Sequence, residues 1–496
     1  MGWIDDLAPR WALRRALAQQ ALKQLRAYDA ARTPRKWNSW QRPKSGPRTE
    51  AQLGADTLRA SVRDLLRNNG YAQRAHRTLV RATVGTGILG SPMAGDRPAP
   101  QRARDAWARW ADDCDFDGHL DLYGLQALTA RTVFESGEAL LRFYRQPFDA
   151  GEAVAPVRLQ LLEPDFIDTG KLSLGRASEG GNWIDRGIEY DSRGRKVALW
   201  LHQVHPGDQS RYLLSKYESV RVPIGEVVQV YDMLRPGQDR GISIFAAAVA
   251  PLKDLGDYFE AEIMRKRIEA CLSVFVTAPE GEGPLVGRAN GTDGESGAEL
   301  RQLAPGMITR LNPGESVSHV APSGSPEIKQ FADQILLLAA AAGGVMFEHM
   351  TGNFEKVNYS SYRVGSHDFA GWAEQQQWHL FVQRMCRPVA QQFNQAALAA
   401  GLISRETTLR WTPPSPVTSP DPKKDADADQ LNLRLGALAP SELAERHGWT
   451  YAELLDRIAA DLAAADAKGI AFDGDPRKNL KGQADGRSDD AGAAGA

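Results

Sequence analysis

The residues of this chain best suited to chemistry are a glycine triplet, a histidine pair, an aspartate triplet and a few carboxylates. Gly85-x-Gly87-x-x-Gly90 has the spacing of a dinucleotide fingerprint. That fingerprint works when a strand enters it and a helix leaves it, so that N–H groups at the helix start meet a pyrophosphate. Here a helical pattern precedes the glycines and Ser91-Pro92 follows, so a helix C-cap and a tight turn are expected instead. His202 and His205 stand three apart on a strand-like stretch, which sends them to opposite faces and spoils joint metal ligation. Asp425, Asp427 and Asp429 imitate half of an EF-hand loop. Gln430 stands where glycine is needed and no Glu closes the loop, so an acidic helix start is expected. Glu135, Glu138 and Glu163 fall near strands without a nucleophile or partner base, and no acid/base pair is read from them. The nucleotide-binding G-x-x-x-x-G-K-[ST] pattern is absent, as are H-E-x-x-H, C-x-x-C and G-x-S-x-G. The expectation is a chain with no catalytic residue, no cofactor and no metal.

The bulk properties agree with a folded, multi-domain protein. At 496 residues the chain exceeds one simple core. It is 42% hydrophobic and 25% charged with net charge −2, which argues against non-specific coating of nucleic acid. Cys114, Cys271 and Cys386 are far apart and read as buried reduced thiols. The longest apolar run, Ile335 to Met346, is short of a membrane span. Asp5, Asp6 and Pro9 interrupt the start where a signal peptide would have its apolar core, so synthesis in a reducing cytoplasm is expected.

Periodicity supplies the elements. The chain is organised around Tyr231 to Met264. There a polar turn, Arg235 to Gly241, leads to Ser243 as an N-cap and then to an apolar stripe from Phe245 to Ile268. Pro251 should kink or start that helix. A second long helix is expected over Glu327 to Thr351, with a β-rich insert between the two. That insert holds a strand at Leu272 to Ala278 and a hairpin of Met307–Leu311 with Ser316–Val320. Upstream, helices are predicted over Thr57–Arg81, with an arginine face turned to solvent or a neighbour, and over Pro100–Trp110 and Leu120–Phe134. From Glu138 to Val230 the period changes to strands, with a hairpin turn at Tyr190 to Arg195. Downstream come a polar loop from Gly352 to Arg363, a long helix from Ser366 to Ala400, a Pro-rich connector, and helices at Asp421–Leu435 and Ser441–Ala467. The basic segment 1–50, with 11 Lys/Arg against four acids, reads as an arm on a neighbouring subunit; its aromatics also suit nucleic acid. Residues beyond Asp473 read as disordered.

Several of these stretches, in this order, resemble the portal proteins of lambda-type tailed bacteriophages. They are the arginine-rich run Leu58 to Ile88, FESGEALLR from Phe134, LQLLEPDFID from Leu159, GIEYDSRGRKVALW from Gly187 and PGQDRGIS from Pro236. PGMITRLNPGESV from Pro305, NYSSYR from Asn358 and DPKKDADAD from Asp421 follow. The resemblance implies a helix-rich α+β portal fold. Its parts would be a basic arm (1–50), a wing (51–243), a first stem helix (244–270), a clip (271–326) and a second stem helix (327–351). A tunnel loop (352–365), a wing helix with connector (366–420), a helical crown (421–470) and a tail (471–496) complete it. It further implies a homo-oligomeric ring, a dodecamer, at one capsid vertex, through which double-stranded DNA is packaged and ejected. The implied partners are the terminase large subunit, head-completion or tail connector proteins, and major capsid and scaffold proteins, with no membrane. Lys356, Asn358 and Arg363 fall on the tunnel loop as DNA-phosphate candidates, against a plain helix-capping role. Glu280, Glu282 and Arg288 fall on the clip as motor-docking candidates. The competing readings are a DNA-acting enzyme, which needs clustered carboxylates or a nucleophile, and a small-molecule-binding α/β protein, which needs the glycines between a strand and a helix.

Overall fold

The computed structural model describes residues 45–470, apart from 53, 96, 150–153, 174–180, 209–217, 271–273, 277–307, 311–327, 356, 418–421, 447–448 and 450. The chain divides into two units, Met1–Leu53 and Gly54–Ala496. In the first, one helix is described, α1 (Pro47–Gln52). Most of the basic arm and the tail from 471 lie outside the described residues.

The second unit opens with α2 (Ala55–Asn68) and α3 (Gly70–Thr83). The single helix expected over Thr57–Arg81 is therefore two. Asn69 is extended between them, and its side chain accepts from the N–H groups of Tyr71 and Ala72, which starts α3 afresh. Val62, Leu65, Leu66, Ala72, Ala75 and Leu79 are buried as the stripe requires. The arginine face is not simply solvated: Arg59 is buried and Arg63 is enclosed by acids.

After α3 the chain turns through Gly85 (φ 55°) and Gly87 (φ 132°) into β1 (Leu89–Ala94), so the glycine triplet sits between a helix and a strand. β1 pairs with β2 (Arg97–Pro98) and with the distant Thr408–Thr412, closing a three-stranded sheet. α4 (Gln101–Asp112) and α5 (Leu122–Ser136) follow where expected. Trp107 and Trp110 of α4 lie 5.0 and 5.1 Å from the ring of Phe393, an aromatic core that large flat side chains favour.

The strand region forms two antiparallel sheets. β3 (Glu138–Arg145) lies between β4 (Val157–Leu162) and a later strand at Val227–Tyr231. β5 (Trp183–Asp185), β6 (Ile188–Tyr190), β7 (Lys196–Leu201) and β8 (Val220–Pro223) make a four-stranded meander, with the β6–β7 turn at the expected hairpin. Val227–Tyr231 is β9.

Ser243 caps as expected, but the first turn it caps is a 3-10 turn, Ile244–Ala247; the α-helix proper, α6, runs Val249–Ala270. Pro251 falls in its first turn, where a missing N–H leaves no bond unmade, so it starts the helix and does not kink it. β10 (Val274–Val276) pairs in parallel with β11 (Ile308–Arg310). The second strand of the expected hairpin, Ser316–Val320, lies outside the described residues. The second long helix is broken: α7 (Ile328–Ala342) ends at Gly343-Gly344, where φ of 69° at Gly344 stops it, and α8 (Phe347–Thr351) resumes.

The last long helix starts earlier than expected. α9 (Tyr359–Gln375) continues through a π-type stretch, Gln376–Cys386, into α10 (Arg387–Ala399). Pro388 explains the widened winding: inside a helix it lacks a donor and its ring crowds the carbonyl four residues back. β12 is Thr408–Thr412. α11 (Pro422–Leu435), α12 (Pro440–Arg446) and α13 (Tyr451–Ala467) end the described chain, the expected Ser441–Ala467 helix being split in two. The class is the expected helix-rich α+β. Among the described residues no helix is long and apolar enough to cross a membrane.

Candidate functional site

The loop between α8 and α9 is short, residues 352–358, because the irregular stretch expected to reach Arg363 becomes helix at Tyr359. Gly352 closes α8 at φ 72°, and its N–H donates to the Glu348 carbonyl. A side chain at Gly352 would meet the Arg74 guanidinium at 3.0 Å. Arg74 itself, from α3, donates from Nε to the His349 carbonyl at 3.1 Å. The loop is thus held at its entrance by a neighbouring helix and at its exit by its own cap.

That exit cap is Asn358. Its side-chain oxygen accepts from Ser361 N at 2.8 Å, and Ser361 Oγ accepts from Asn358 N at 3.2 Å, a reciprocal capping box. Of the three loop residues singled out in the sequence, Lys356 lies outside the described residues, Asn358 is engaged in capping, and Arg363 sits one turn into α9. Arg363 lines a cleft of about 970 Å³ with His367, Trp378, Pro414, Asp425 and Asp429. Asp425, Asp427 and Asp429 all lie on α11, which rules out the loop geometry of an EF-hand. Glu280, Glu282 and Arg288 lie outside the described residues.

Behind the loop, His349 is buried between the rings of Phe369, 4.8 Å away, and Tyr362. Burial pushes its imidazole below the ordinary value, and the charges of Arg81 and Arg74 add to the effect against the weaker pull of Glu348.

The turn PGQDRG, read in the sequence as irregular and polar, is heavily bonded. Arg240 and Glu138 form an ion pair with both side chains shut off from water. Glu138 also accepts from Gly241 N at 3.2 Å and from the Gln229 amide. Asp239 accepts from the Tyr190 hydroxyl at 2.8 Å, and its carbonyl accepts from Lys196 Nζ at 2.8 Å. Tyr231 Oη donates to the Gln238 carbonyl at 2.9 Å. One turn therefore joins β3 and β9 of one sheet to β6 and β7 of the other. It delivers the chain to Ser243, whose hydroxyl donates to the Phe134 carbonyl. Sequence reasoning missed this node. The available signal was three adjacent polar residues between an apolar strand and a long helix.

A second node sits on α2. Arg63 reaches Glu135 at 3.1 Å, Glu163 at 2.7 Å and Asp165 at 2.8 Å. Burial would raise the Asp165 pKa, but its hydrogen bond to Arg63 and the charges of Arg59 and Arg63 outweigh that and hold the carboxyl below its usual value. Glu163, Asp165 and His205 are close enough to ligate a metal. The guanidinium of Arg63 already lies between the two carboxylates and does what a cation would do there. His202 goes elsewhere, to Asp168 at 3.9 Å. Glu135, Glu138 and Glu163 thus each have an arginine partner. Cys114 and Cys386 are buried free thiols with pKa values raised by desolvation, poor nucleophiles; Cys271 lies outside the described residues.

Residues 33–377 match the family model described as phage portal protein, lambda family. A relative from Halomonas phage phiHAP-1, described as a probable portal protein, is 25% identical over 505 residues, covering 95% of this chain and 94% of the relative. Two solved structures are similar over 82% of the chain: the neck of an empty gene transfer agent particle computed with C6 symmetry (14% identity, 95% of that chain, TM-score 0.45), and the virion of the native particle (15%, 96%, 0.41).

Proposed function

The chain belongs to the lambda family of phage portal proteins, and we propose that it is the subunit of a closed ring at one vertex of a capsid, through whose channel double-stranded DNA is packaged and later ejected. The family match over residues 33–377 carries this reading, and the near full-length relative supports it. The arrangement of charge fits a conduit. Arg63 and Arg240 are paired with acids inside the fold, and the whole chain is near neutral, so DNA would pass without being gripped. The role is one of assembly, with energy for translocation supplied by a separate motor. The ring would be a dodecamer. The insert 271–326, with Glu280, Glu282 and Arg288, would dock the terminase large subunit, and head-completion proteins would follow it. Major capsid and scaffold proteins would surround the ring in the virion. Residues 352–358 would face the channel, with Lys356 and Arg363 nearest to phosphate and Asn358 shaping the loop.

The test is a packaging assay. Heads assembled with this chain should protect double-stranded DNA from nuclease when terminase and ATP are supplied, and heads assembled without it should protect none. Equal protection in both would overturn the proposal.

A further inference from the structure

The three C-terminal helices bury too little to be complete. Among the described residues of α11 none is buried, and in α13 only Ala465 is. Helices of 14 and 17 residues are marginal in water without tertiary packing, and the small core between them rests on Leu438 and Ala444.

Their exposed apolar residues are ordered. On α11, Leu431 and Leu435 are 57% and 71% exposed. At about 100° per residue they share one side of the helix, while Asp425 and Asp429 lie on the opposite side. Those two acids line the cleft against α9, and Asp429 accepts from Arg446 at 3.2 Å, so the leucines face away from their own chain. On α13, Tyr451, Leu455 and Ile458 are exposed at i, i+4 and i+7, and the half-buried Leu462 continues the line.

We infer that a second copy of this chain completes these helices, the Leu431–Leu435 stripe of α11 packing against the Tyr451–Leu455–Ile458 stripe of α13 on its neighbour. This rests on the ring reading above and adds the contact. Two different stripes on one chain suit a head-to-tail contact, which repeats around a closed ring. The helices match in length, about 21 and 25 Å at 1.5 Å per residue. Lys424, whose ammonium lies over the Tyr359 ring, and Arg434 border the first stripe, with Asp427 the acid beside them, and Asp461 and Asp466 border the second, so most of the flanking charges are opposite.

A chain carrying both Leu431→Cys and Leu455→Cys should, when oxidised as assembled rings, give a ladder of covalent multimers above the wild-type background. Leu431→Glu with Leu435→Glu should raise amide exchange across 422–467 by at least about tenfold in the assembled protein. Ala464→Glu, on the opposite side of α13, should not. Rings that form without a ladder, or exchange unchanged by the paired glutamates, would overturn this contact and leave the ring reading standing. A wild-type chain that forms no ring would overturn both.

Discussion

Arg240 and Glu138 meet 102 positions apart in the sequence, as an ion pair with neither side chain exposed to water. The pair stands where the last strand of one sheet gives way to the turn before α6. It fixes the direction in which the long helix leaves the strand region. Arg240→Ala should lower unfolding stability by about 3–5 kcal/mol, because it strands a buried carboxylate. Replacing both partners, Glu138→Leu with Arg240→Met, should cost clearly less. Urea titrations of the two variants measure this; equal losses would contradict it.

Gly241 lies against Gly137 so closely that a methyl group at Gly241 would come within 2.0 Å of the Gly137 carbonyl oxygen. Gly241→Ala should therefore abolish soluble expression or displace the turn. Gly256, on the open side of α6, has no atom within 4 Å of a would-be methyl. Gly256→Ala should be stabilising by about 1 kcal/mol through helix propensity. Thermal unfolding of both variants checks the contrast.

Asn358→Ala should cost about 1 kcal/mol of stability by removing the α9 cap, and Asn358→Ser should restore most of it. Hydrogen exchange over the first turn of α9 reads the cap directly. Packaging that falls with Asn358→Ser while exchange stays protected would assign Asn358 a contact beyond capping.

His349 is held below the ordinary imidazole value in the folded protein, chiefly by burial. The unfolded chain thus binds a proton there first as pH falls, so stability is present above about pH 6.5 and declines below it. His76 acts in the same direction, again chiefly through burial. His349→Gln should flatten the fall in midpoint on acidification below pH 6.5. A decline as steep as wild type would remove His349 from the account.

Much of the layout was legible because it is local. The strands at Glu138, Val157, Ile188, Lys196 and Val227, and the cap at Ser243, follow from alternation and short-range capping chemistry. The breaks at Asn69 and at Gly343-Gly344 carried turn residues, yet apolar residues continue at short spacing on either side and mask the interruption. The Arg240–Glu138 and Arg63–Glu163 pairs were not legible, since no pattern in one sequence relates residues about a hundred positions apart. At the loop before α9 the sequence left phosphate contact and helix capping both open for Asn358, and the reciprocal bonds with Ser361 placed it in a cap.

The central claim is that copies of this chain close into a ring. Native mass spectrometry of the purified protein, with negative-stain microscopy of the same sample, measures this most directly. The account predicts a large closed assembly with a central hole, formed without DNA or nucleotide. A 54.3 kDa monomer at every salt and protein concentration tried would contradict it.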